Sequence, residues 1–189
     1  MRLLLLGGPG GGKGTQGARL AERLEVEHVA AGDALRGEVA RGSEIGARVA
    51  GYLDVGELVP DDVVVDLMTP IVAAAARTGG YILDGFPRNL AQARVADEAW
   101  EQRGIGLEAV VYLEVPEPEL RRRLLARAQT EKRSNNTPEV IDNRLALFAE
   151  TTFPLVEHYR DRGLLVPIAA DRAPDAVTDD VMSRLAVDR

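Results

Sequence analysis

The sequence predicts an α/β fold in which a five-stranded parallel sheet is flanked by helices, with a phosphate-binding loop near the start of the chain. Three observations carry this reading. The apolar run Leu3–Leu6 meets Gly7-Gly8-Pro9-Gly10-Gly11-Gly12-Lys13-Gly14-Thr15 and then a helix-like stretch, Gln16–Leu24. Short β-type runs alternate with helical patterns along the rest of the chain, which calls for crossover units and a parallel sheet covered on both faces. At 189 residues the chain makes one domain with small inserted lobes and can bury a full core.

The β-type runs are Arg2–Leu6, Glu27–Ala30, Tyr81–Asp84, Ala109–Glu114 and Leu164–Ile168. Helical spacing fills the intervals. Ala18–Leu24 follows the glycine turn, and Asp61–Arg77 repeats apolar residues at Val64, Leu67, Met68, Ile71 and Val72. Leu90–Arg103, Glu117–Arg127, Pro138–Asp161 and Pro174–Ala186 follow the same rule, the last closing the core. Two segments interrupt the alternation: the polar, glycine-punctuated stretch 31–60, and 127–137. Both are expected to be mobile flaps over a site.

The glycine turn supplies the first chemistry. Glycines let backbone N–H groups point inward, the helix N-terminus adds partial positive charge, and Lys13 can reach terminal phosphates. The spacing Gly7-x4-Gly12-Lys13 fits a phosphate loop, with Gly14 in the usual Ser/Thr position and Thr15 after it. The formal charge of −7 argues against a general nucleic-acid or acidic-membrane surface, so an anionic ligand must be met by local arginines. The absence of cysteine excludes disulfides, thiol catalysis and thiolate metal sites. No apolar stretch approaches a bilayer span, and Leu3–Leu6 is too short for a signal peptide, so the expected location is the cytoplasm.

Asp84-Gly85-Phe86-Pro87-Arg88 directly follows the apolar strand Tyr81–Leu83. An acid at a strand end can hold the water shell of a phosphate-bound magnesium ion. The turn after it can present Arg88 to a second phosphate. Arg36, Arg88, Arg127, Arg133 and Arg144 recur where phosphoryl transfer needs fixed cations. Arg121, Arg122 and Arg123 are consecutive on a helix and read as surface charge. His28 reads as a strand residue, His158 as part of a polar helical face, and Trp100 as helix packing.

Beyond these readings, the linked motifs Gly7–Gln16, Ala30-Ala31-Gly32-Asp33-Ala34-Leu35-Arg36, Gly56-Glu57-Leu58-Val59-Pro60-Asp61, Asp84–Arg88 with Gln92-Ala93, and Arg127-x5-Arg133-x10-Arg144 fall in order over nearly the whole chain. Together they resemble the nucleoside monophosphate kinases, and within them the short-lid bacterial adenylate kinases. The resemblance implies a P-loop kinase core over 1–29, 60–125 and 137–189, a nucleotide-binding lobe at 30–59 and a lid at 126–136. It implies a monomer that converts MgATP and AMP reversibly to two ADP.

Carried over by position, the resemblance implies that Gly10, Gly11, Gly12, Lys13, Gly14 and Thr15 wrap the ATP phosphates, with magnesium held through water near Thr15 and Asp84 and by no direct protein ligand. Arg127 packs on ATP, and Arg172 falls where a backbone group touches the ATP base. Ala31, Arg36, Glu57, Leu58, Val59, Gly85, Phe86, Pro87, Arg88 and Gln92 hold AMP, Gln92 reading the adenine edge. Arg133 and Arg144 clamp the transferring group and reach AMP as well. Five positions depart from the adenylate kinase pattern. Ala31 replaces threonine and Asn89 follows Arg88, both leaning toward kinases of UMP or CMP. Lys132 replaces a lid glycine, and Asn135-Asn136 replace paired aspartates. The alternatives are thus a UMP/CMP-preferring kinase, or a nucleotide-binding sensor whose altered lid has weakened turnover.

Overall fold

The computed structural model describes residues 1–55, 57–130 and 137–187. Its elements are β1 (Arg2–Gly7), α1 (Lys13–Leu24), β2 (Glu27–Ala30), α2 (Ala31–Arg41), α3 (Glu44–Val55), α4 (Asp61–Arg77), β3 (Tyr81–Asp84) and α5 (Leu90–Glu101). There follow β4 (Ala109–Glu114), α6 (Glu117–Thr130), α7 (Pro138–Leu147), a π-helical segment (Phe148–Thr152), α8 (Pro154–Asp161), β5 (Leu165–Ala169) and α9 (Pro174–Val187).

The five strands form one parallel sheet in the order β2-β3-β1-β4-β5. β1 is central, and its four leucines are buried to within 2% of complete exclusion from solvent. Alternation divides them: Leu4 and Leu6 pack with Leu83, Val110, Met68 and Trp100 on one face, while Leu3 and Leu5 pack with Ile82, Val111 and Val181 on the other. Burial of each such leucine is worth about 1.5–3 kcal/mol, which explains why a strand covered on both faces reads as a continuous apolar run. Leu5 is in register with Asp84, so the loop after β1 and the end of β3 leave the same sheet edge side by side. That register brings the two sequence motifs together.

The segment 31–60, which interrupts the alternation, is mostly helical. α2 and α3 form a tight hairpin, closed by Gly42 as a left-handed cap and by Ser43, whose Oγ accepts the Gly46 N–H at 3.0 Å. Gly46 lies so close to α2 that a Cβ there would stand 2.3 Å from the Glu38 carbonyl oxygen. Gly46, one of the glycines that punctuate the segment, thus permits helix-to-helix contact.

The expected single helix over Pro138–Asp161 is also divided. Pro154 carries no N–H for the helical ladder, and the Phe153 N–H reaches back five residues to the Phe148 carbonyl at 2.8 Å. The resulting π turn shifts the register of the chain that follows Arg144. His158 is not simply on a polar face: its Nε2 lies 3.1 Å from Asp97 Oδ2, where Arg162 also binds, joining α8 to α5. Trp100 is fully buried, edge-on to Tyr81 and Phe86. Arg121 and Arg122 are salt-bridged at the surface to Asp142 and Glu119, and the half-buried Arg123 pairs with Glu119. His28 lies on β2, as expected. No helix among the described residues is long and apolar enough to cross a membrane.

Candidate active site

The C-terminal ends of β1 and β3 open into a cleft of about 790 Å³. Its floor is the phosphate loop. Gly10 has φ +81°, and a Cβ there would stand 3.1 Å from the Leu120 carbonyl oxygen of α6, so both conformation and contact require glycine. Gly12 begins α1 without a side-chain cap, leaving the first amides of that helix for an anion. By contrast, Asn89 caps α5 and Thr137 caps α7.

Lys13 Nζ donates to the carbonyl oxygens of Gly7 and Gly8 at 2.9 and 3.1 Å, so the ammonium bridges the loop's own carbonyls. Burial in the loop holds Lys13 below the usual lysine value; Asp84 opposes that shift and Arg88 adds to it. A Cβ on Gly14 would stand 3.9 Å from Asp84 Oδ2, which places the carboxylate beside the start of α1 and its exposed neighbour Thr15. Among the described residues no three His, Cys, Asp or Glu side chains cluster as a metal cage. One carboxylate and a hydroxyl residue beside the phosphate loop suit a cation that arrives with nucleotide phosphates and keeps much of its water.

The opposite wall carries the turn after β3. Arg88 Nε donates to the Gly85 carbonyl at 2.8 Å, and the Arg88 N–H donates to Gln92 Oε1 at 2.8 Å. The walls strip Arg88 of water and lower its proton affinity, Asp84 raises it, and the charge of Arg36 lowers it again. An arginine nevertheless stays protonated at neutral pH. Arg36 and Arg88 are thus two cations that repel each other across one space. Arg36 also pairs with Asp33 at 2.5 Å.

Of the residues singled out in the sequence, Gly10, Lys13, Arg36, Glu57, Leu58, Val59, Gly85, Pro87, Arg88, Gln92, Arg127 and Arg144 line this one cleft. Several others do not. Gly11, Gly12, Gly14 and Thr15 form the loop and helix start outside the lining. Ala31 is 1% exposed and belongs to the core, as does Phe86, which packs on Trp100. Arg172 turns its side chain away, to the Ala169 carbonyl and Asp180. Arg133, with Lys132, Asn135 and Asn136, lies outside the described residues. Sequence reasoning missed Thr152, which lines the cleft from the π-helical segment. Its only advance signal was Pro154 inside a long helical pattern.

Residues 5–164 match the family model described as adenylate kinase. The chain belongs to the adenylate kinase family. It is 42% identical over 185 residues to the adenylate kinase of Thermobifida fusca, covering 98% of each chain. It is likewise 42% identical over 185 residues to that of Thermus thermophilus, covering 98% of this chain and 97% of the relative. With the adenylate kinase of Kocuria rhizophila it shares 40% identity over 184 residues, covering 97% and 98%. Within an adenylate kinase, the departure at Asn89 has a local explanation: its Oδ1 accepts the Gln92 N–H at 2.8 Å and so caps α5.

Proposed function

We propose that this adenylate kinase family member transfers the γ-phosphoryl group of ATP to AMP, giving two ADP in a reversible reaction. The observation that carries the reading is the convergence of Lys13, Arg36, Arg88, Arg127 and Arg144 on one cleft that also holds Gln92. An AMP phosphate oxygen attacks the γ-phosphorus, and the bond to the β–γ bridging oxygen breaks. Charge then spreads over the phosphoryl oxygens, so the protein's task is to position and neutralise rather than to form a covalent intermediate.

In this reading the phosphate loop and Lys13 hold ATP, while Arg36 and Arg88 hold the AMP phosphate. Their mutual repulsion is relieved when a dianion enters between them. Arg144 and Arg127 reach the same space from α7 and α6, and the clamping role that the resemblance implies for Arg133 falls on a residue outside the described ones. The hairpin of α2 and α3 is the AMP lobe at 30–59. Asp84 and Thr15 would orient the water of a magnesium ion arriving with ATP, which would supply charge neutralisation. We read the enzyme as a cytoplasmic monomer.

The test is product stoichiometry. With magnesium, ATP and AMP, the purified chain should form two ADP for each ATP consumed, and ATP consumption should cease when AMP is withheld. Release of inorganic phosphate without need of AMP would contradict the reading.

A further inference from the structure

Gln92 is 2% exposed, yet it lines the cleft, and the network around its amide is determined by groups of only one hydrogen-bonding character. The Arg88 N–H, which can only donate, meets Gln92 Oε1 at 2.8 Å. The Asp61 carboxylate, which as an anion can only accept, meets Gln92 Nε2 at 2.7 Å. The same oxygen, Asp61 Oδ1, accepts from Asn89 Nδ2 at 2.9 Å. Asn89 cannot turn over either, because its Oδ1 accepts the Gln92 backbone N–H at 2.8 Å.

We infer that Asp61 is a specificity-determining positioning residue: it locks the Gln92 amide in one orientation and thereby selects a 6-aminopurine monophosphate over a 6-oxopurine one. Rotating the Gln92 amide by half a turn would place its carbonyl oxygen against the Asp61 carboxylate and its NH2 against the Arg88 N–H. Both contacts would be repulsive. One lone pair on Oε1 and one N–H on Nε2 remain for a base. A 6-aminopurine offers an N–H donor at N6 beside an acceptor at N1, whereas a 6-oxopurine offers an acceptor at O6 beside a donor at N1. The two edges require opposite orientations of the same amide, so a locked amide discriminates and a free one adapts.

The inference rests on AMP being the acceptor. Asp61 is exposed at the start of α4, so replacing it leaves the core untouched. In Asp61→Ala the lock is held from one side only. Asp61→Asn keeps an oxygen that accepts from Asn89 and Gln92, so it serves as the conservative rescue.

The experiment measures kcat and KM for AMP and IMP in the parent, Asp61→Ala and Asp61→Asn enzymes. Asp61→Ala should raise KM for AMP about tenfold with kcat within about threefold, and should lower the AMP:IMP ratio of kcat/KM about tenfold. Asp61→Asn should keep that ratio within about threefold of the parent. An Asp61→Ala ratio within twofold of the parent would overturn the inference, as would equal losses in the two variants or a loss confined to kcat. A parent enzyme that prefers another monophosphate to AMP would overturn the acceptor reading itself, and the inference with it.

Discussion

The Thr152 hydroxyl donates to the Arg88 carbonyl oxygen at 2.8 Å, tying the π-helical segment to the turn after β3. Together with the bond from the Arg88 N–H to Gln92, this holds Arg88's peptide groups on both sides by side chains from different elements. The π turn sets the register that points Thr152 into the cleft, the kind of local irregularity that recurs at functional sites. Thr152→Val keeps the shape and removes the donor. A net hydrogen bond of about 1 kcal/mol corresponds to roughly a fivefold loss, expected in kcat with little change in KM for ATP. Thr152→Ser should restore most of it, and a valine variant with parental kcat would show that Arg88 is held without Thr152.

Arg88→Ala should lower kcat by on the order of a hundredfold or more, because loss of a phosphate-clamping cation removes transition-state stabilisation of a few kcal/mol. The fold should persist, since the guanidinium projects into the cleft rather than the core. Lys13→Ala should match this loss and also raise KM for ATP. Steady-state kinetics beside thermal unfolding separate the two effects. Activity of Arg88→Ala within threefold of the parent would reduce the residue to a turn former.

Gly46→Ala probes the hairpin of α2 and α3. The added methyl must displace the Glu38 carbonyl, 2.3 Å from the position of a Cβ, and overpacking of this kind costs about 1–3 kcal/mol. Urea unfolding should show that loss, and a splayed lobe should raise KM for AMP more than KM for ATP. Unchanged stability would mean that the helices separate freely.

Glu119 links acid stability to α6. Hydrogen bonds from Arg122 and then Arg123 push its carboxyl down to about 2, below the ordinary 4.5. Between those values the unfolded chain binds more protons than the folded one, so this stabilisation is complete above about pH 4.5 and fades as pH falls toward 2. Arg122 is exposed and Glu119 and Arg123 are only half-buried, so the effect is small and screened by salt. In low-salt denaturant titrations, the parent should exceed Glu119→Gln at pH 6 and the gap should narrow by pH 3. A gap that stays constant with pH would assign the difference to packing.

Much of the sheet was legible because a strand buried on both faces has few alternatives: β3 and β4 begin and end where the apolar runs do, and the edge strand β2, with only Val29 buried, also keeps its expected bounds. β5 is displaced by one residue from its expected bounds, and α1 begins earlier, at Lys13, because the glycines that form the loop also open the helix. The hairpin of α2 and α3 was hidden because Gly42 and Gly46 carry opposite meanings with similar local sequence, one ending a helix and the other admitting its neighbour. Charged residues at the cleft were legible through linked spacing, as with Arg36, Arg88, Arg127 and Arg144. Asp61 and Thr152 were not given roles, because each acts through contacts with residues distant along the chain, which periodicity does not encode.

Whether one cleft joins ATP to AMP is read from a coupled assay of kcat/KM with MgATP and each of AMP, CMP, UMP and GMP. A buried amide facing the wrong base edge leaves polar groups unpaired, at a cost of about 1–3 kcal/mol. AMP should be the best acceptor, with CMP and UMP at least about tenfold worse. A pyrimidine monophosphate that outpaces AMP would contradict it, and would make Ala31 and Asn89 the better guides to the substrate.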